Sequence, residues 1–288
     1  MADSAGSAAT APQVVPENGV RDVRLLKSTD DDYCGVVVEM DEPMDSATFV
    51  PILRASISHW RQLGKKTVWI KLPTHLACLI EPLVKEGFWY HHAEPKYLML
   101  VYWIPETPND IPANATHRVC VGGFIMNEKQ EILVVREKGG PFWLTGVWKF
   151  PTGAVDQGED ICAAAVREVK EETGIDTEFV EVLAFSQTLK SYFTKSELFI
   201  LCMLRPLSFD IQVQEQEIED AQWMPFEEYA AQPFNKKHEF VKQMNEVCWA
   251  KTGGHYSGFS PVPSSSCFSN RKGSMFLNAG GLKRCNSF

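Results

Sequence analysis

The chain has 288 residues, is 44% hydrophobic and carries a formal net charge of −9 at pH 7. That length holds two modest domains, and the acidic balance excludes a protein built to grip nucleic acid, which needs clustered Lys and Arg against the phosphates. It does not exclude a small anionic substrate, because bound cations reverse the local charge.

No apolar stretch reaches membrane-spanning length. The first twenty residues carry neither an early basic residue nor an apolar run, so the sequence predicts a cytoplasmic chain without membrane contact. None of the eight cysteines forms a CxxC pair. They read as reduced thiols rather than as a structural zinc site.

Residues 1–19, rich in Ala, Ser and Pro, read as disordered. Residues 20–104 form a small αβ domain. Strands are predicted at 35–40, 67–72 and 97–103, and helices at 46–63 and 76–86. The first helix places Phe49, Ile52, Leu53, Ile57, Trp60 and Leu63 at helical spacing. His91 and His92 are neighbours on an extended segment, which predicts opposite faces and no shared metal. The Pro-rich residues 105–115 read as a linker.

The pattern then restarts over 116–251. Segments 119–126 and 132–136 are predicted to pair as strands about a turn, followed by a short strand at 148–150. A helix is expected at 160–173, strands at 179–187, 198–204 and 221–225, and helices at 226–230 and 237–251. Residues 252–288, Ser/Gly-rich with several basic positions, read as a mobile tail.

One spaced set carries the chemistry. Gly153 is followed after five residues by Glu159, and after seven more by Arg167-Glu168-Val169-Lys170-Glu171-Glu172-Thr173-Gly174-Ile175. On a helix, Glu168 and Glu172 stack at i and i+4, with Glu171 on their flank. Cys162, Val166, Val169 and Thr173 fall on another face, suited to a sheet. Adjacent carboxylates raise one another's pKa, and a hard cation such as Mg2+ or Mn2+ relieves that strain with oxygen ligands. A glycine at 153 lets the backbone turn sharply and expose a carbonyl. Glu159 suits a helix start, and Gly174 suits a helix C-cap.

This spacing, Gly-x5-Glu-x7-Arg-Glu-U-x-Glu-Glu-x-Gly-U with U aliphatic, resembles the complete Nudix box. The resemblance implies an α/β/α sandwich with a mixed sheet and metal-dependent hydrolysis of a nucleoside diphosphate derivative. It implies metal contacts from Glu168, Glu172, Glu171, Glu159 and the Gly153 carbonyl, with catalytic roles for Glu171, Glu172 and a supporting Arg167. A general base is expected outside the box. Glu217 is the candidate, with Glu215 and Glu219 as rivals.

Further segments resemble the plant cytosolic Nudix enzymes over about residues 25 to 260. They include 58–61, 64–66, 69–73, 90–95, 146–153, 223–225 and 232–234. That group includes ADP-ribose and NADH pyrophosphatases, so the likeness implies those substrates and a small-molecule nucleotide partner; the N-terminal domain is expected either to form a homodimer or to shape the nucleotide pocket. The resemblance also likens the N-terminal unit to an acyltransferase fold, without a Gly-rich acyl-CoA loop. The group's strand near Phe185 often reads Phe-Arg-Gln-Ser-His-Lys; here it is Phe185-Ser186-Gln187-Thr188-Leu189-Lys190. Gln187, Phe142 and Trp143 are nominated as substrate contacts, the two aromatics for base stacking. Rival readings are a Nudix hydrolase for FAD, coenzyme A, dinucleoside polyphosphates or oxidised nucleotides, and a nucleotide-sensing protein without turnover.

Overall fold

The computed structural model describes residues 24–139, 145–265 and 272–278. Phe142 and Trp143 lie outside the described residues. The chain divides into two compact units, Met1–Asn114 and Ala115–Phe288. No helix among the described residues is long and apolar enough to cross a membrane.

The first unit is a five-stranded sheet with helices. Its elements are β1 (Thr29–Asp30), β2 (Val36–Glu39), α1 (Ser46–Gln62), β3 (Thr67–Pro73), α2 (Ile80–Lys85), β4 (Trp89–Glu94) and β5 (Tyr97–Trp103). Strand order is β1-β2-β3-β5-β4. The apolar spacing of α1 holds for Phe49, Leu53, Ile57 and Trp60, which are buried with Val36, Val38, Val68 and Ile70; Ile52 is half-buried, and Leu63, at the C-cap beyond the last turn, is exposed. The helix expected at 76–86 is split. A 3-10 segment (Thr74–Leu79) precedes α2. Starting the α-helix at Ile80 puts Pro82 in its first turn, where no backbone donor is needed.

His91 and His92 do not point apart. The register of β4 against β5 shifts between Tyr90 and His92, and such a bulge re-aims side chains. Their Nδ1 atoms lie 2.8 Å apart, and His91 Nε2 is 3.0 Å from the Pro112 carbonyl.

The second unit begins with β6 (His117–Ile125), β7 (Glu131–Glu137), β8 (Thr152–Ala154), α3 (Ile161–Thr173), β9 (Thr177–Tyr192) and β10 (Lys195–Pro206). It continues with β11 (Ile218–Pro225), α4 (Phe226–Ala231), α5 (Pro233–Lys237), α6 (Glu239–Thr252), β12 (Ser260–Ser265) and β13 (Lys272–Leu277). The main sheet is mixed, in the order β8-β6-β10-β9, with β6 and β10 parallel. Alternation along each strand makes two cores. Val121, Ile125, Ile200, Cys202 and Leu204 pack with Ala164, Ala165 and Val169 of α3. Phe124 and Leu201 pack with Phe226 and Tyr229 of α4 and Cys248 of α6. The unit is therefore an α/β/α sandwich around a mixed sheet.

The predicted hairpin of 119–126 with 132–136 does not form beyond a single Met126–Ile132 bridge. A strand has two edges, and those of β6 are taken by β10 and β8, so β7 pairs with β11 instead. At 148–150 there is one bridge, Val135 to Lys149, and the strand proper is β8. The helix expected at 237–251 breaks at His238, whose φ of −99° and ψ of 114° are extended. The tail is not wholly irregular either. β12 pairs with β13, and Phe259 bridges to Val182 of β9.

The start of α3 is set by Asp160, whose carboxylate accepts from Cys162 N at 2.8 Å and Ala163 N at 3.4 Å. Replacing such a cap with Ala costs about 1 kcal/mol. Asp160→Ala should lower unfolding free energy by that amount in a urea titration, without changing the slope; an unaltered midpoint would show that the cap contributes nothing.

Candidate hydrolytic site

The helix α3 is fixed at both ends and on one side. Asp160 caps its start, and Gly174 ends it in the left-handed region at φ 72°, donating to Lys170 O. Val169 and Thr173 are buried, as their spacing predicts, and Val166 packs part-buried beside them. Cys162 is only half-buried. The opposite edge carries the carboxylates.

Gly153 of β8 runs against that edge. A Cβ built on Gly153 would lie 1.9 Å from Glu168 Cδ and about as close to both its oxygens. Only glycine lets the Glu168 carboxylate occupy this place. One residue earlier, Thr152 N donates to Glu172 Oε2 at 3.2 Å. Glu172 is 6% exposed. Burial pushes its carboxyl up to about 8, against the pull of Lys149 and with the help of Glu168. Burial also raises Glu168.

Arg167 ties the rest together. It grips Glu159 with two bonds, Nε to Oε1 at 2.7 Å and Nη2 to Oε2 at 2.8 Å. Its Nη1 donates to Glu168 Oε1 and Glu171 Oε2, both at 2.9 Å, and Nη2 also reaches Ala154 O at 3.0 Å. The guanidinium holds the Glu159 carboxyl down at about 2. Such forked bonds to carboxylates are strong and directional.

The box residues Gly153, Glu159, Arg167, Glu168, Glu171 and Glu172 are thus brought together. Among the described residues, no three His, Cys, Asp or Glu side chains form a ready metal cage, and Arg167 bonds three of the carboxylates. The donor set nevertheless fits a hard divalent cation. It is oxygen throughout, and Glu168 and Glu172 crowd the Gly153 backbone with raised pKa values, a repulsion that a cation removes.

Glu217 is exposed, just ahead of β11. Its N–H donates to Gln214 Oε1 at 2.8 Å, and Gln214 N donates to Glu172 O at 3.2 Å. Its segment is therefore tethered to the carboxylate end of α3. Of the rivals, Glu219 is engaged by Arg136 Nε at 3.0 Å, and the Glu215 carbonyl accepts from Lys138 Nζ. Gln187 lies away from this group: its amide meets His117 Nε2 at 2.6 Å.

Two residues escape the sequence reading. Lys149 Nζ pairs with Glu137 Oε1 at 2.7 Å and donates to Thr152 Oγ1 at 2.5 Å. It braces the turn that holds Glu172. Its one sequence signal is its place just ahead of Gly153, within the segment 146–153.

The folded chain keeps a proton on Glu172 up to about pH 8, whereas the unfolded chain releases it near 4.5. Folding then binds the extra proton between those values, so stability falls as pH rises through that window. With a chelator present, the melting temperature should decline across it. Glu172→Gln should remove much of that decline; an identical slope in the variant would place the buried proton elsewhere.

A family model described as the Nudix hydrolase domain matches residues 26–104, and one described as the NUDIX domain matches residues 116–244. The chain is 55% identical to Nudix hydrolase 2 of Arabidopsis thaliana over 258 residues, 90% of this chain and 92% of that protein. It is 55% identical to Nudix hydrolase 10 of the same plant over 254 residues, 88% of this chain and 90% of that one. A solved Nudix hydrolase from Nitrosomonas europaea is similar at 18% identity with a TM-score of 0.43, covering 59% of this chain and 90% of that one. The 55% identity along nearly the whole length of both plant proteins shows the family, and the chain belongs to the Nudix hydrolases.

Proposed function

We propose that the chain hydrolyses the pyrophosphate bond of ADP-ribose, giving AMP and ribose 5-phosphate, and of NADH, giving AMP and reduced nicotinamide mononucleotide. The hydrolytic part of the reading is carried by one observation: Glu168 and Glu172 are packed against the backbone of Thr152 and Gly153. Carboxylates so enclosed, Glu172 buried and Glu168 half-buried, are costly unless they serve charge.

Glu168, Glu171, Glu172, Glu159 and the Gly153 carbonyl would hold magnesium or manganese. The bound ion would neutralise phosphate oxygens and acidify water. Arg167 keeps Glu159, Glu168 and Glu171 in register. Lys149 braces the turn beneath Glu172. In the reaction, water oxygen forms a bond to one phosphorus, the P–O–P bond breaks, and the bridging oxygen leaves on the other phosphate. Glu217 takes the water proton. Its place on the segment bonded to the Glu172 carbonyl supports that role over Glu219, which Arg136 occupies.

The substrate reading draws on the likeness to the plant cytosolic group. Two of its segments are joined in the fold. Gln232 accepts from Trp148 N at 2.9 Å and donates to Trp148 O at 3.1 Å, so 146–153 and 232–234 meet as one surface. Arg136 lies over the Trp148 ring at 4.8 Å.

Incubation with magnesium or manganese and a nucleotide panel, read by mass spectrometry, should give AMP from ADP-ribose and NADH. No turnover on any pyrophosphate would sink the enzymatic reading, and turnover confined to other nucleotides would sink the substrate. Glu172→Gln should lower kcat at least about 100-fold with the fold retained. Glu217→Gln should slow the reaction at saturating metal; if Glu219→Gln does so instead, the base is Glu219.

A further inference from the structure

The hydrolytic site has two halves on separate elements. Glu172 stands on α3 against the turn at Thr152, and Glu217 stands just ahead of β11. One tether joins them through the backbone of Glu172. Its carbonyl accepts from Gln214 N at 3.2 Å, and Gln214 Oε1 accepts from Glu217 N at 2.8 Å. A single tether leaves the Glu217 segment free to pivot about it.

A second route runs round the other side. Thr152, whose N–H meets Glu172 Oε2, also accepts through Oγ1 from Lys149 Nζ. The same ammonium pairs with Glu137 Oε1 at 2.7 Å. Glu137 lies opposite Ile218 in the β7–β11 register. The next residue, Lys138, donates its N–H to Glu217 O at 2.7 Å and its Nζ to Glu215 O. Lys149 is itself fixed to β7, exchanging two backbone bonds with Val135 at 2.9 and 3.0 Å. The circuit therefore runs from the Glu172 carboxylate through Thr152, Lys149 and Glu137 to the Glu217 backbone, and returns through Gln214 to the Glu172 carbonyl. Its ion pair is shielded, with side-chain exposure of 14% for Lys149 and 25% for Glu137. Exposed ion pairs contribute little, but losing one partner of a shielded pair strands the other charge.

We propose that the Glu137–Lys149 ion pair is a positioning device for hydrolysis, fixing the separation of the Glu172 turn and the Glu217 segment. Neither residue touches the substrate. Lys149 acts through Thr152 and Glu172, and Glu137 acts through Lys138 and Glu217. The assignment rests on the pyrophosphatase reading and on Glu217 as its base. Misplacing a reacting group by about 1 Å costs on the order of 100-fold in rate. A slackened circuit therefore lowers kcat and leaves KM alone, as for any contact realised only in the transition state.

Steady-state kinetics of the full chain at saturating magnesium provide the test, on the nucleotide of the panel that it turns over fastest. Lys149→Met and Glu137→Ala should each lower kcat about tenfold or more, with KM within about twofold. Lys149→Arg, whose fork can reach both Glu137 and Thr152, should recover most of kcat. With Glu217 already changed to Gln, Lys149→Met should cost less than about threefold, since no base remains to be placed. Thermal unfolding checks each variant, and Glu137→Ala decides if Lys149→Met does not fold. Unchanged kcat in folded variants of an active chain overturns the positioning role alone. So does a loss that falls on KM, that Lys149→Arg fails to relieve, or that persists in full without Glu217. A wild type that hydrolyses no pyrophosphate refutes the enzymatic reading and the proposal with it.

Discussion

The site depends on a missing side chain. Where any other residue would carry a Cβ, Gly153 leaves the space that the Glu168 carboxylate fills. This close approach draws the edge strand β8 onto α3 and brings Thr152 N–H to Glu172. It also turns ordinary surface glutamates into a desolvated pair. Like charges at i, i+4 on an open helix cost only tenths of a kcal/mol; beneath a strand the same pair has its pKa values raised.

Arg167 makes that crowding tolerable in the absence of metal. One guanidinium satisfies oxygens of Glu159, Glu168 and Glu171 and the carbonyl of Ala154. Glu172 is left out of this network and takes up a proton instead. The helix thus divides its acids. Glu159 is held ionised by Arg167, whereas Glu172 is held neutral by burial. The two acids therefore stand at opposite ends of the carboxylate range although they share one helix edge.

Most of this helix was legible in the sequence, because a face on a helix is written in local spacing. The C-cap Gly174, the buried Val169 and the stacked Glu168 and Glu172 all follow from residues a few positions apart, whereas the helix start falls to the capping carboxylate of Asp160 rather than to Glu159. The strand pairings were less legible. Periodicity reports which face of a strand is buried, not which edge meets which partner. Hence β6 and β7, adjacent in sequence, were expected to pair, although β10 and β8 occupy the edges of β6. Lys149 and Glu137 were missed for a similar reason: their meeting depends on β7 reaching the loop ahead of β8, which no local pattern encodes. His91 and His92 show the limit of strict alternation, since one bulge undoes it.

Consecutive glycines in β6 carry the last step of the design. Gly122 admits Phe199 on one face, and Gly123 admits Val169 of α3 on the other, where an added Cβ would lie 2.8 Å from Val169 Cγ2. The sheet is thin at this point, so an aromatic ring and a charged helix approach it from opposite sides. Both approaches need a residue without a Cβ, so a side chain at either glycine would push the sheet away from one of its two packed layers. The pair therefore fixes how close α3 comes to β6, and with it where the carboxylate edge of the helix meets β8.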